Sequence, residues 1–384
     1  MKPMPPMPWA LLAAGCFAMF AASSSGTTRA PFLLDMARDL ASSLPMVANL
    51  MAATSISWGV ASILAGAGSD RWGRRPFLVL GPPGLALSLV GVAMAEGYWA
   101  VALWVTLGGF CAGGFTGVIM AEASARTVDR QRGRALGWIM AGQSVTLLVG
   151  VPMAAWIGAH VGWRGVHVAT AGLALLAGLL LFLATLRPAG DGGGGGGARP
   201  SLAGAMSGPV LRLLSMGVAE RVCYGLTAVY YATFLQATHG LSAAGVALPL
   251  LVFALGHILG TVIGGQLADR LPDRRRTFGV TLVLSAAAAL LLFGWTPSLP
   301  VTVAAGFAYA LVIAVARPCL MAALAEVPEH VRGTVLGLNV TSASVGWLAA
   351  AALGGAVVGA FGFAGFGPFA AGFALLGAVL ALRR

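Results

Sequence analysis

Charge is scarce in this chain: 9% of its 384 residues are Asp, Glu, Lys or Arg, against 58% hydrophobic. Soluble domains carry about a quarter charged residues, so a water-bathed globule is excluded and the chain is read as bilayer-embedded. Cysteine is sparse too. Cys16, Cys111, Cys223 and Cys319 all lie in apolar runs without metal-ligand spacing, which leaves them as small apolar filler and implies no disulfide framework. Missing as well are a Ser/His/Asp order with a nucleophile elbow, a phosphate loop between strand and helix, and a His/Cys cluster, so the chain is not read as an enzyme. No metal and no cofactor are expected.

What is present is apolar sequence in blocks. Runs of about 18 to 25 mostly apolar residues match the length of helix that crosses a bilayer. Twelve such helices are expected: 9–25 (extending towards Arg29 before Pro31), 44–67, 77–95, 99–120, 135–157, a sixth ending near 186, then 210–235, 244–268, 278–294, 299–321, 333–358 and 363–382. Lys2 followed by the run 9–20 could pass for a leader peptide, but removing it would leave the first half one helix short, so it is read as helix 1. The net charge of +11 follows topology. With a cytoplasmic N-terminus, the inner segments hold 18 of the 23 basic residues, among them Arg71, Arg74, Arg75, Arg126, Arg134, Arg270 and Arg274. The outer loops hold Arg29, Arg38 and Arg164, while Arg221 and Arg317 fall inside helices. That asymmetry is the positive-inside pattern, with both termini cytoplasmic in an inner (plasma) membrane. It does not indicate a polyanionic ligand.

Six consecutive glycines, Gly192 to Gly197, stand between Pro188 and Pro200. Such a sequence is a flexible spacer, and it divides a six-helix bundle over 1–186 from one over 209–384, with 187–208 as linker. The halves repeat. Arg132-Gly133 with Leu136-Gly137 matches Arg332-Gly333 with Leu336-Gly337, and Ala171-Gly172 with Leu176 matches Ala371-Gly372 with Leu376, both at an offset of 200. Asp70 and Asp269 match at 199. The order is kept, which implies two six-helix halves repeated in parallel.

The stretch Gly66, Asp70, Arg71, Gly73, Arg74, Arg75, read as the loop between helices 2 and 3, and its degraded copy Gly265, Asp269, Arg270 with Arg274, Arg275 and Arg276, resemble the signature of the major facilitator superfamily of secondary transporters. The resemblance covers essentially the whole chain and implies an all-α membrane fold whose two halves rock about a central solute path. Gly142-Gln143-Ser144, Gly150-Val151-Pro152 and Gly162-Trp163-Arg164 look like the proton-coupled drug and metabolite antiporter branch. The departure is Thr106 on helix 4, where antiporters of that kind often carry an arginine. In this fold Asp70, with Arg71, Gly73, Arg74 and Arg126, would latch the halves by sitting at the N-terminus of helix 11, where an anion is favoured. Asp269 and Arg270 would do the same against helix 5. The alternative is a topology signal that only ends the helices at the surface.

Glu220 lies near the bilayer middle on helix 7, and a charge there is costly enough that it lines a cavity and has a partner. Glu220, Tyr224, Thr227 and Tyr231 recur at helical spacing on one face. Arg317 sits at similar depth on helix 10, on a stripe with Tyr309. Glu220 and Arg317 are expected to pair or to share a substrate. Competition between desolvation and a nearby cation would make Glu220 a proton switch. The alternative is a static salt bridge, and Arg221, about 100° round the helix, is the rival partner. Arg29, Gln143, Thr146, His257 and Asn339 are further candidates. Arg29 is expected near the outer mouth, attracting an anion or reaching the interface. His257 is expected as a hydrogen-bonded interior histidine, and Gln143 and Asn339 as interhelical bonds or ligand contacts.

The function these readings favour is proton-coupled efflux of a small organic solute by alternating access. An importer of a small organic anion is the second, and a membrane sensor that no longer transports is the third. Expected partners are the bilayer, the small-molecule solute and protons, with no nucleic acid. The chain is expected to act as a monomer.

Overall fold

The structure, a computed structural model, describes residues 7–186, 207–327 and 329–383, with positions 70, 129, 130, 132, 329–334 and 336–337 described in their backbone only. The expected linker therefore lies almost wholly outside the described residues. Among those residues the structure is helical throughout, without a strand. The first half holds α1 (Trp9–Thr27), a short helix Leu33–Asp39, α2 (Leu44–Trp72), α3 (Arg75–Met94) and α4 (Tyr98–Ala125). The next helix, Asp129–Val145, runs through a π-helical turn Thr146–Gly150 into Val151–Ala184. That last element breaks at Gly162, so it is divided here into α5 (129–161) and α6 (163–184). The second half holds α7 (Gly208–His239), α8 (Ala247–Arg270), α9 (Arg274–Gly294), α10 (Leu299–Ala325), α11 (Glu329–Phe361) and α12 (Phe366–Leu382). Length and mean hydropathy alone qualify 10 stretches as membrane spans. The 133–184 stretch is one of these and holds two helices, and α7 is not among them because its charged and polar residues dilute its hydropathy. With those two, the span count is twelve.

Contacts divide the chain into two compact units, the second of which takes Ser43–Ala52 from the start of α2. In the first unit α1 packs on α5 and α6, and α3 lies between α4 and α6. In the second, α7 packs on α10, α11 and α12, α8 on α10, and α9 on α10 and α12. The α5–α6 and α11–α12 reversals show the repeat in the backbone. Gly162 has φ 69° and ψ 175°, and Gly362, 200 residues on, has φ 64° and ψ −167°. That region is essentially closed to any residue with a Cβ, at a cost of about 1–3 kcal/mol. Gly362→Ala is therefore expected to lower the midpoint of thermal unfolding in detergent. Gly172→Ala, in an open helical position, should leave it level or higher; equal midpoints for the two variants would contradict the strain argument.

The structure corrects one boundary. Gly66 to Arg75 is not a loop: α2 continues to Trp72, and only Gly73, at φ 81°, and Arg74 lie between α2 and α3. Nothing before Gly73 breaks a helix, and a glycine in the left-handed region is a common helix stop.

Candidate functional site

Glu220 sits in the twelfth interval of α7, about 18 Å from its first residue, and is 2% exposed. Arg317, reaching from α10, brings Nη1 to 3.5 Å from Glu220 Oε2, and Arg221 brings Nε to 3.1 Å from the same oxygen. The expected pairing with Arg317 is present at the long limit of a hydrogen bond. Arg221, the rival partner, reaches Glu220 as well, although its Cβ starts about 100° round the helix. Its long flexible stem lets the head fold back over the helix surface. Its Nε makes an ionic approach to the carboxylate without hydrogen-bond alignment, and its guanidinium lies 5.3 Å from the Tyr224 ring centroid.

Tyr224 extends this cluster. Its ring lies 4.6 Å from the His257 ring of α8 and 5.7 Å, edge-on, from Trp347 of α11. Four helices of one unit thus bring two arginines, one carboxylate and three rings together. The rest of the α7 stripe does other work. Thr227 Oγ1 donates to the Tyr224 carbonyl at 2.9 Å. Tyr231 stacks among Phe253 and Phe234, with its hydroxyl against Gly306. Tyr309 is fully buried and donates to the Cys223 carbonyl at 2.9 Å, tying α10 to α7. Asn339 Nδ2 donates to Met321 Sδ at 3.5 Å between α11 and α10. Exposed Gln143 meets Met19 Sδ at 3.6 Å, and Thr146 donates to the Phe20 carbonyl at 3.1 Å.

In the first unit Arg29 follows the last turn of α1. It is buried, with Nη2 and Nε donating to the Ser25 carbonyl at 2.8 and 3.2 Å and Nη1 to Thr54 Oγ1 at 2.9 Å. A 3-10 turn, Ala30–Phe32, follows α1, and the guanidinium folds back onto a carbonyl in the last turn of that helix, where a cation is favoured. His167 of α6 is near enough to interact with it electrostatically, and its Nδ1 faces the Trp163 carbonyl at 2.8 Å. Sequence reasoning passed over His167, a lone histidine in an apolar run. The reversal into α6 is pinned by Asp39, whose Oδ2 accepts from Trp163 Nε1 and Arg164 Nη1, each at 2.8 Å.

On the side bearing the basic loops, Arg74 and Arg126 converge on Glu122 of α4, at 3.3 and 2.6 Å. The same pairing recurs in the second unit between Arg274 and Glu326 at the end of α10. Sequence reasoning named Arg74 and Arg126 but not Glu122 as their anchor. Arg71 lies over the Trp72 ring at 5.8 Å, and Asp269 and Arg270 are exposed. The side chain of Asp70 and those of Gly133's counterpart positions 333–334 fall outside the described residues.

The Major Facilitator Superfamily model matches residues 15–219 and again 213–384, and this chain belongs to that family. Two curated relatives are similar over most of their length. The chloramphenicol resistance protein of Streptomyces lividans is 27% identical over 296 residues, 76% of this chain and 72% of that one. Inner membrane transport protein YdhP of Escherichia coli (strain K12) is 27% identical over 362 residues, 91% and 90% of the two chains. The crystal structure of a D-xylose-proton symporter superposes with a TM-score of 0.83 over 98% of each chain at 14% identity, which establishes the fold. The chain is a multi-pass membrane protein of a secondary transporter family, with the twelve-helix fold of that family.

Proposed function

We propose that this protein moves a small organic solute across the membrane by alternating access, linked to protons, and that Glu220 is the group that takes and releases the proton. One observation carries the reading: a carboxylate 2% exposed, part-way along a membrane helix, held by arginines from its own helix and from α10. A buried charge kept at such depth is a functional position by default. The basic loops lie on the cytoplasmic side, with both termini. The two bundles are the moving parts, joined by the glycine-rich linker. On that side Arg74 and Arg126 are held by Glu122 of their own unit.

Export is the direction supported by likeness to the chloramphenicol resistance protein. Uptake of an organic anion is the second reading, favoured by the excess of arginine over carboxylate at Glu220. Purified full chain in proteoliposomes, with a pH-sensitive dye inside, separates them. Chloramphenicol export against an inward proton flow supports the first, and benzoate accumulation with inward protons supports the second. Flux of neither probe changing the internal pH would remove the proton link.

A further inference from the structure

From the same cluster we infer the chemistry of the solute: an organic monoanion, a carboxylate on a flat ring, whose carboxylate binds Arg221 and Arg317 while the ring rests against His257 and Trp347. The inference rests on the Glu220 cluster being the solute site.

Formal charge is the first argument. Two guanidinium groups share one carboxylate, and Glu220 is the only carboxylate among the described residues in ion-pair contact with either. The cluster is left one positive charge over, in surroundings where a net charge is disfavoured. A monoanion brings it to neutrality, whereas a cation would double the excess.

Unused donors are the second. A guanidinium offers five N–H groups in a fork that fits a carboxylate two-fold. Arg317 uses one nitrogen on Glu220, at 3.5 Å, and Arg221 Nε approaches without a hydrogen bond. Access points the same way. The side chains of Arg317 and Arg221 are 25% and 15% exposed and that of Glu220 is 3% exposed, so an incoming group meets the arginines first.

The rings are the third. Tyr224 is flanked by His257 at 4.6 Å with 39° between planes and by Trp347 at 84°. Tyr224 itself is buried, so the half-buried rings of His257 and Trp347 are the ones a flat ring can meet, in the offset or edge-on geometry that aromatic pairs prefer.

The sign of the proton link follows. The titratable or charged groups facing Glu220 are Arg221, Cys223 and Tyr224 on α7 and Arg317 and Tyr309 on α10, with His257 of α8 beside Arg221. A second carboxylate on the same two guanidiniums sets two like charges side by side, and a proton taken up with the anion removes that repulsion. By linkage, proton and anion each favour the binding of the other. Anion and proton travel together, which favours the uptake reading.

The test uses three probes of one shape on the full chain in detergent, benzoate, benzamide and benzylamine, read by thermal stabilisation. Benzoate is expected to stabilise, increasingly as pH falls from 8 to 6 (a range of about two units, in which it stays ionised), with benzamide weak and benzylamine silent. Arg317→Gln should reduce benzoate affinity at least tenfold. Arg317→Lys, which keeps the charge and the fold but loses the fork, should fall between. Glu220→Gln should still bind benzoate, now without pH dependence. Stabilisation by benzamide or benzylamine equal to benzoate, or by none of the three at millimolar concentration, overturns the inference. Those outcomes leave proton-linked transport standing, whereas pH-independent flux in proteoliposomes removes that reading whatever benzoate does.

Discussion

Glu220→Gln is expected to abolish accumulation driven by a pH gradient while leaving solute exchange intact. With one proton per solute, each pH unit across the membrane is worth about 1.4 kcal/mol, or about tenfold accumulation. The wild-type protein in proteoliposomes should approach that limit. The glutamine variant should reach equal concentrations inside and out, because the amide keeps the shape and hydrogen-bonding of a protonated carboxyl but cannot titrate. Counterflow, in which labelled solute exchanges for unlabelled, needs no net proton movement and should survive. Glu220→Ala is a harsher change. It leaves Arg221 and Arg317 buried without a counter-charge, and truncating one partner of a buried pair costs about 2–5 kcal/mol. Reduced yield and a lower unfolding midpoint are expected there. A glutamine variant that accumulates solute at the wild-type level would show that the proton enters elsewhere.

Gly260→Leu is expected to prevent folding of the second unit. Gly256, Gly260 and Gly264 recur once per turn on α8 and lie against the carbonyls of Phe307, Leu311 and Val315, which recur once per turn on α10. Small residues at such spacing let membrane helices approach closely. A side chain at Gly260 falls on the Leu311 carbonyl, and backbone cannot move aside as a side-chain tip can. Overpacking typically costs about 1–3 kcal/mol; leucine here also parts α8 from α10 and carries His257 and Arg317 away from Glu220. Aggregation or loss of a monodisperse peak in size-exclusion chromatography is the expected readout. Gly265→Ala, five residues further along α8 and facing open space, serves as control and should behave as wild type. A well-folded Gly260→Leu protein would mean that the α8–α10 contact is not needed. The first unit has the equivalent arrangement on the other partner: Gly109 and Gly113 of α4 lie against the α2 backbone at Thr54 and Trp58, and Ser62 Oγ donates to the Gly113 carbonyl at 3.1 Å.

Much of this architecture is legible in the sequence because bilayer thickness dictates helix length, so apolar runs give the spans and basic residues between them mark one face. The ends of helices are less legible. α2 runs on to Trp72 because charged residues at a membrane surface are compatible with helix, and only Gly73 has the backbone freedom to stop it. At the candidate site, spacing places Glu220 and Tyr224 on one face of α7, and depth matches Arg317 to Glu220. Spacing does not reveal that Arg221, a full 100° round, folds back to the same oxygen, because a long side chain is not confined to the direction of its Cβ. Nor does it reveal Trp347 against Tyr224, which depends on how α11 is rotated against α7. Arg29 looked like a loop residue because it precedes a proline. Its burial follows from the fold-back of its guanidinium onto Ser25, a local geometry that composition cannot show. Glu122 looked like one charge among several at the end of α4, and only packing makes it the acceptor for two arginines.

The repeat has a further consequence. The ion pairs at the basic ends occur in both units, Arg74 with Glu122 and Arg274 with Glu326. Two hundred positions before Glu220, Arg221 and Arg317, the first half carries Phe20, Ala21 and Gly117. One half thus carries charges where the matching positions of the other are apolar or small. With the solute held at the Glu220 cluster as proposed, substitutions there would retune which compound is carried without touching the paired charges that both halves keep.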